Sequence, residues 1–211
     1  VLGRVVEVIS GMSLDAFLQE RIFEPLGMTE TGFHVTSDQT DRVGRLYSPN
    51  PANGEAVVSP LDFVTTERPT YLSGGGGLYG TAADYLRFCH FLLGRGELDG
   101  VRLLGTRTID YMTRNHLPGN ADLEAFGRPL FAETSFDGVG FGLGFSVQLD
   151  PAAYRVLSSP TDYAWGGAAS SAFFCDPHED IAVIFLTQLL PSSTHPIRPQ
   201  LKQLVYQALV D

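Results

Sequence analysis

The stretch Asp162–Phe185, DYAWGGAASSAFFCDPHEDIAVIF, decides the fold. Its first apolar run, from Tyr163 to Cys175, reads as a strand, and a second strand follows from Ile181 to Thr187. The link Asp176-Pro177-His178-Glu179-Asp180 has turn chemistry, so the two runs form an antiparallel hairpin. Just upstream, Phe141, Leu143, Phe145, Val147 and Leu149 alternate with Gly142, Gly144, Ser146 and Gln148. A period of two marks a third strand with one packed face.

Upstream of these strands the apolar period is helical. Leu2, Val5, Val6 and Ile9 share one face of a first helix that Gly11 ends. Ser13 caps a second helix, with Asp15 in its first turn where the dipole favours negative charge. Leu14, Phe17, Leu18 and Ile22 form its buried face, and Glu24-Pro25-Leu26-Gly27 stops it. Residues 29–79 are rich in Thr, Ser, Gly, Asn and Pro and read as long loops with short elements. Thr81 caps a third helix with Asp84 in a capping-box position, and Tyr85, Phe88, Cys89 and Leu92 form its apolar face. A short strand at Val101–Leu104, a brief helix at Thr106–Thr113 and a loop over 114–138 follow. Ile197, Leu201, Leu204, Val205 and Ala208 make a closing amphipathic helix. Helices first, then antiparallel strands, then a helix, give an α+β fold. Residues 1–138 form a mainly helical region with long loops, and 139–211 hold the strands and the closing helix.

Composition narrows the function classes. The 211 residues carry a formal net charge of −10, which argues against nucleic acid or an anionic membrane as partner. No apolar run approaches the ~20 residues that span a bilayer. No signal peptide is visible, and the compartment, cytoplasmic or periplasmic, stays open. Cys89 and Cys175, the only cysteines, read as buried small hydrophobes. His34, His90, His116, His178 and His195 are scattered, with no metal-binding spacing and no close carboxylate–histidine pairing. Asp176, Glu179 and Asp180 read as a solvated turn. Gly74-Gly75-Gly76-Gly77 lacks the Gly-Lys-Ser/Thr of a phosphate loop and reads as a tight scaffold loop. No Ser-x-x-Lys, Tyr-x-Asn or Gly-x-Ser-x-Gly occurs, and Lys202 is the only lysine. The chain opens inside a helical pattern, with no initiator Met and no cap, so a preceding segment is expected.

Three segments carry a family resemblance: residues 1–33, VLGRVVEVISGMSLDAFLQERIFEPLGMTETGF; residues 72–104, LSGGGGLYGTAADYLRFCHFLLGRGELDGVRLL; and residues 162–188, which contain Trp165-Gly166-Gly167. In order and spacing they resemble the C-terminal half of class C β-lactamase-like serine hydrolases. These include the family VIII-type carboxylesterases of the β-lactamase and penicillin-binding-protein superfamily. Trp165-Gly166-Gly167 resembles that superfamily's third motif, Lys-Thr-Gly or His-Thr-Gly, with Trp and Gly in its first two places.

The resemblance implies a β-lactamase/transpeptidase-like α+β fold whose first half is missing from this chain, so that these residues form one incomplete catalytic domain. It implies a serine carboxylesterase cleaving short-chain esters through an acyl-enzyme. The Ser-x-x-Lys and Tyr motifs would lie upstream of residue 1, in an N-terminal segment of the same protein that acts as partner, leaving this chain inactive alone. The Ala168 backbone N–H would be an oxyanion donor. Trp165, Gly166 and Gly167 would bind substrate, with Tyr71 and Ser73 lining the pocket, and no cofactor or metal is implied. An indole carries no charge, so neutral esters are expected over anionic β-lactams. Trp165 also has a plain reading, as a core aromatic at a strand start. Two other functions stay open: a β-lactamase or D-alanyl-D-alanine peptidase of the same fold, and an inert fragment serving as a binding domain.

Overall fold

The helical period at the start of the chain winds α1 (Leu2–Ser10), closed by Gly11 in the left-handed region at φ 71°. This computed structural model describes residues 1–127 and 135–210. Helix α2 (Leu14–Leu18) runs through a π-helical turn, Gln19–Phe23, into α3 (Glu24–Leu26). A small hairpin, β1 (Tyr47–Pro49) with β2 (Ala56–Val58), lies within the long loop region. Helix α4 (Ala82–Leu93) follows, then β3 (Glu97–Leu98) paired with β4 (Val101–Arg102), α5 (Thr106–Met112) and α6 (Leu123–Phe126). The main sheet comprises β5 (Val139–Phe141), β6 (Ser146–Gln148), β7 (Tyr163–Gly166), β8 (Ala172–Asp176) and β9 (Ile181–Phe185), with α7 (Pro151–Tyr154) between β6 and β7. Helix α8 (Ile197–Tyr206) closes the chain.

The five strands lie in sequence order, each antiparallel to its neighbours. This α+β architecture is the one expected, with two corrections in strand count. The alternating run 141–149 is the corner of a hairpin, because Gly142 N–H donates to Phe145 O at 2.7 Å and Gly144 takes φ 99°. A Cβ at Gly142 would stand 2.2 Å from the Met112 carbonyl oxygen, so the turn is packed against α5 and admits only glycine there. Likewise the run 163–175 is two strands, folded back at residues 167–171. The hairpin from β8 to β9 is as expected, with Asp176 opposite Ile181.

The sheet's two faces are distinct. On one, Phe145, Val147, Tyr163, Phe173 and Cys175 pack against α4 through Cys89 and Leu92, joined by Phe23, Leu26 and Ile109. Burial of each such side chain contributes about 1.5–3 kcal/mol. Both cysteines are fully buried and free, and hydrogen bonding with the Cys89 thiol, together with burial, pushes the Cys175 thiol well above its ordinary range. On the other face, α8 lays Tyr206 over Phe174, with ring centroids 5.8 Å apart, and buries Lys202 against Asp162 at 2.7 Å.

Several local expectations change. Helix α1 forms, but Leu2 and Ile9 remain 78 % and 81 % exposed, because nothing among the described residues covers that face. Ser13 occupies the cap position of α2, yet its hydroxyl donates to Asp15 Oδ1 at 2.6 Å instead of capping the backbone. Thr81 does cap α4, accepting from Asp84 N–H at 3.1 Å. The Asp84 carboxylate turns away to accept from Glu30 N–H and the Thr31 hydroxyl, so only half of the capping box exists. Asp176 is buried, not solvated: Tyr206 donates to it at 2.6 Å and His178 N–H at 2.8 Å. The Gly-rich loop is scaffold: a Cβ on Gly74 would meet Gly3 N at 2.8 Å, so α1 and the loop touch backbone to backbone.

Candidate active site

Strand β7 places Trp165 opposite Phe173 and Gly166 opposite Ala172. Alternation sends the indole to the α4 side of the sheet, where it meets the Phe141 ring edge-on at 5.1 Å and stays 45 % exposed. The indole is therefore half-exposed and not enclosed in the core.

Beyond Gly166 the chain turns on itself. Gly167 N–H donates to Ser171 O at 3.0 Å, and Ser170 N–H returns to Gly167 O at 3.1 Å. Ser170 takes φ 70°, the left-handed bulge residue that closes a three-residue hairpin loop. Its hydroxyl donates to Leu189 O at 2.7 Å and the Ser171 hydroxyl to Thr187 O at 3.1 Å. Leu189 N–H donates to Ala169 O at 3.0 Å. Among the described residues, the Ala168 and Ala169 N–H groups enter no backbone hydrogen bond. The turn is fastened on every side while two N–H donors at its crest stay open.

Helix α8 approaches from behind. A Cβ on Gly166 would stand 2.3 Å from Arg198 Nε, so glycine is required for the guanidinium to lie against β7. Arg198 Nη2 donates to Gly167 O at 2.6 Å and to Ser171 O at 3.2 Å. A cavity of about 160 Å³ lies between the sheet and α8, walled by Phe174, Leu201, Lys202 and Arg198, and residues 165–168 border it. Tyr71 is 77 % exposed, and neither it nor Ser73 lines that cavity. Ser73 Oγ instead accepts from Gly75 N–H at 3.2 Å. Residues 165–168 are consecutive, at the end of β7 and in the turn after it, and Tyr71 and Ser73 lie on a separate loop. A second cavity, of about 580 Å³, opens between α2, α4 and the segment after β9, with Ile22, Tyr85, Phe88 and Gln188 in its walls.

Arg198 and Ser170 escaped the sequence reading. Their roles depend on a tertiary approach of α8 to β7, and the only local trace is the glycine at 166. The sole lysine is likewise placed by tertiary contacts: Lys202 is buried and ion-paired with Asp162, whose carboxyl is pushed up by burial against the opposing pull of Lys202. His178 Nδ1 lies 3.0 Å from Glu179 Oε1 in the exposed turn, a carboxylate–histidine pairing not expected from the spacing. Among the described residues no three His, Cys, Asp or Glu side chains converge on a metal position, and no helix is long and apolar enough to cross a membrane.

Residues 1–207 match the beta-lactamase family. The chain belongs to that family. Among its relatives, Protein Rv1367c of Mycobacterium tuberculosis (strain ATCC 25618 / H37Rv) is 36 % identical over 197 residues, covering 90 % of this chain and 47 % of that protein. Lovastatin esterase of Penicillium rubens (strain ATCC 28089 / DSM 1075 / NRRL 1951 / Wisconsin 54-1255) is 30 % identical over 217 residues, covering 95 % of this chain and 51 % of that protein. Among solved structures, EstCE1, a hydrolase with promiscuous acyltransferase activity, superposes with a TM-score of 0.75 at 25 % identity, over 97 % of this chain and 54 % of its own. This beta-lactamase-family chain therefore spans about half the length of the relatives it matches. Its fold is the β-lactamase/transpeptidase-like α+β fold.

Proposed function

We propose that this chain forms one wall of the active site of a serine hydrolase that cleaves short-chain esters through an acyl-enzyme. The observation that carries the reading is the open Ala168 N–H on a rigidly fastened turn, beside an uncharged, half-exposed Trp165. The esterase among its relatives supports it. Among the described residues no serine hydroxyl is paired with a lysine: Lys202, the only lysine of the sequence, is held by Asp162 inside the α8 face. The Ser-x-x-Lys and Tyr motifs are assigned to a segment outside them.

In this reading a serine oxygen adds to the ester carbonyl while its proton passes to the neighbouring base. The carbonyl oxygen becomes an oxyanion, and the Ala168 N–H donates to it together with the N–H of the serine. One such donor is worth roughly 3–4 kcal/mol of transition-state stabilisation. The carbon–oxygen bond to the alcohol then breaks, the alcohol leaves with the proton, and water repeats the sequence on the acyl group. Gly167 leaves room for the acyl chain along β7, and the indole face packs on it. No cofactor or metal enters these steps.

The test uses the full-length protein that contains this chain. Incubation with a fluorophosphonate followed by intact-mass spectrometry is expected to show one adduct, and p-nitrophenyl butyrate is expected to be hydrolysed in proportion to unlabelled enzyme. Absence of both would leave an inert binding domain. Turnover of a chromogenic cephalosporin ahead of the ester would make the protein a β-lactamase.

A further inference from the structure

Gly167 C=O and Ala168 N–H belong to one peptide unit. The Leu190–Pro191 bond is the only cis peptide among the described residues, so the 167–168 unit is trans and its two dipole ends point in opposite directions. Whatever holds the carbonyl therefore aims the N–H. Two donors hold it: Ser170 N–H at 3.1 Å, and the Arg198 guanidinium at 2.6 Å from α8. The second is charged, and a charge-assisted bond on the oxygen draws electron density through the amide and makes its N–H a stronger donor.

We propose that Arg198 is a positioning residue for the proposed esterase, whose guanidinium, laid against Gly166, orients and polarises the Gly167–Ala168 peptide so that the Ala168 N–H serves as oxyanion donor. This rests on the ester-hydrolase reading above. Three independent features meet in it. Gly166 leaves the guanidinium its place, since a Cβ would come within 2.3–2.6 Å of three of its atoms. The same Nη2 also reaches Ser171 O at 3.2 Å, so both ends of the turn are tied to one rigid group. The Ser170 and Ser171 hydroxyls fasten the far side, to Leu189 O and Thr187 O. Arg198 does not reach substrate in this scheme. It acts from the opposite face of the sheet, through one peptide.

A lysine at 198 would keep the charge but replace the planar group that lies against Gly166 with a compact ammonium. In the full-length protein, Arg198→Ala is expected to lower kcat on p-nitrophenyl butyrate by about 10- to 100-fold, less than the loss of a whole oxyanion donor, with KM changed by less than about threefold. Arg198→Lys is expected to fall between the variant and the parent. Free guanidinium at non-denaturing concentration is expected to restore part of the Arg198→Ala rate. Gly166→Ala, which expels the guanidinium sterically, is expected to reproduce the kcat loss if Arg198→Ala fails to fold. The Ala168 amide proton, read by NMR, is expected to move upfield in both variants.

A folded Arg198→Ala protein with the parental kcat and an unmoved Ala168 amide would overturn the proposal. So would a rate loss that only follows the loss of folded protein and ignores guanidinium. If the parent neither hydrolyses esters nor takes up a fluorophosphonate, the esterase reading fails separately; the amide shift then still decides whether Arg198 polarises this peptide.

Discussion

Position 165 shows how much one side chain decides. The indole has a large apolar face and a single N–H, so it can pack an acyl or alcohol group but cannot neutralise a carboxylate. Imidazole at the same place is smaller, offers polar contacts and titrates near neutrality. Trp165→His in the full-length protein is expected to lower kcat/KM for p-nitrophenyl butyrate by about tenfold, roughly 1.4 kcal/mol of lost contact, and to raise cephalosporin turnover. Parallel steady-state assays decide it: unchanged rates on both substrates would mean that the indole plays no part in specificity. Trp165 and the two glycines were legible in the sequence because motif residues cluster in the chain. Arg198 was not, because its partner Gly167 lies thirty-one positions away and only the fold joins them.

Elements were legible in type but not always in number. Alternation over 141–149 correctly signalled β structure, yet the same pattern fits one strand or two short ones meeting at a Gly-x-Gly corner. The close approach of Gly142 to the Met112 carbonyl, which settles the matter, is a contact between elements. The closing helix was read as an apolar stripe, and its buried lysine was missed. Lys202 and Asp162, 10 % and 1 % exposed at their side chains, pin α8 to the sheet. Asp176 adds repulsion, and Tyr206 donates to both carboxylates, at 2.6 and 3.3 Å. Burial already raises the Asp162 carboxyl, and Lys202 opposes that rise. Lys202→Met removes the opposition and leaves a buried charge alone, a loss of about 3–5 kcal/mol at neutral pH. The sign follows from linkage: a carboxyl raised in the folded state favours folding below its unfolded pKa, and that contribution disappears as pH rises through its folded value. Lys202→Met is therefore expected to lose more stability than the parent as pH rises above the ordinary carboxylate range, and Asp162→Asn added to it should flatten the profile. Urea unfolding from acid to neutral pH tests this; a parallel offset at every pH would show that removing Lys202 leaves the protonation of Asp162 unchanged.

At the scale of the molecule, this chain presents apolar surface and an open sheet edge to solvent. Leu2, Val8 and Ile9 project from α1 with most of their area in water. Strand β9 ends the sheet, and among the described residues only β8 pairs with it. An apolar edge strand, Ile181-Ala182-Val183-Ile184-Phe185, offers unpaired backbone groups to any second chain. Hydrophobic faces of this kind drive association at micromolar concentration and above. The polypeptide 1–211 produced by itself is thus expected to sediment as concentration-dependent oligomers, despite a net charge of −10 that opposes self-association. Leu2→Lys with Ile9→Lys should shift that equilibrium toward monomer, whereas Tyr111→Lys, at an exposed position on α5, should not. Sedimentation velocity over a concentration series separates these outcomes. A monodisperse monomer for the unaltered polypeptide would mean that the exposed face of α1 and the β9 edge do not drive association.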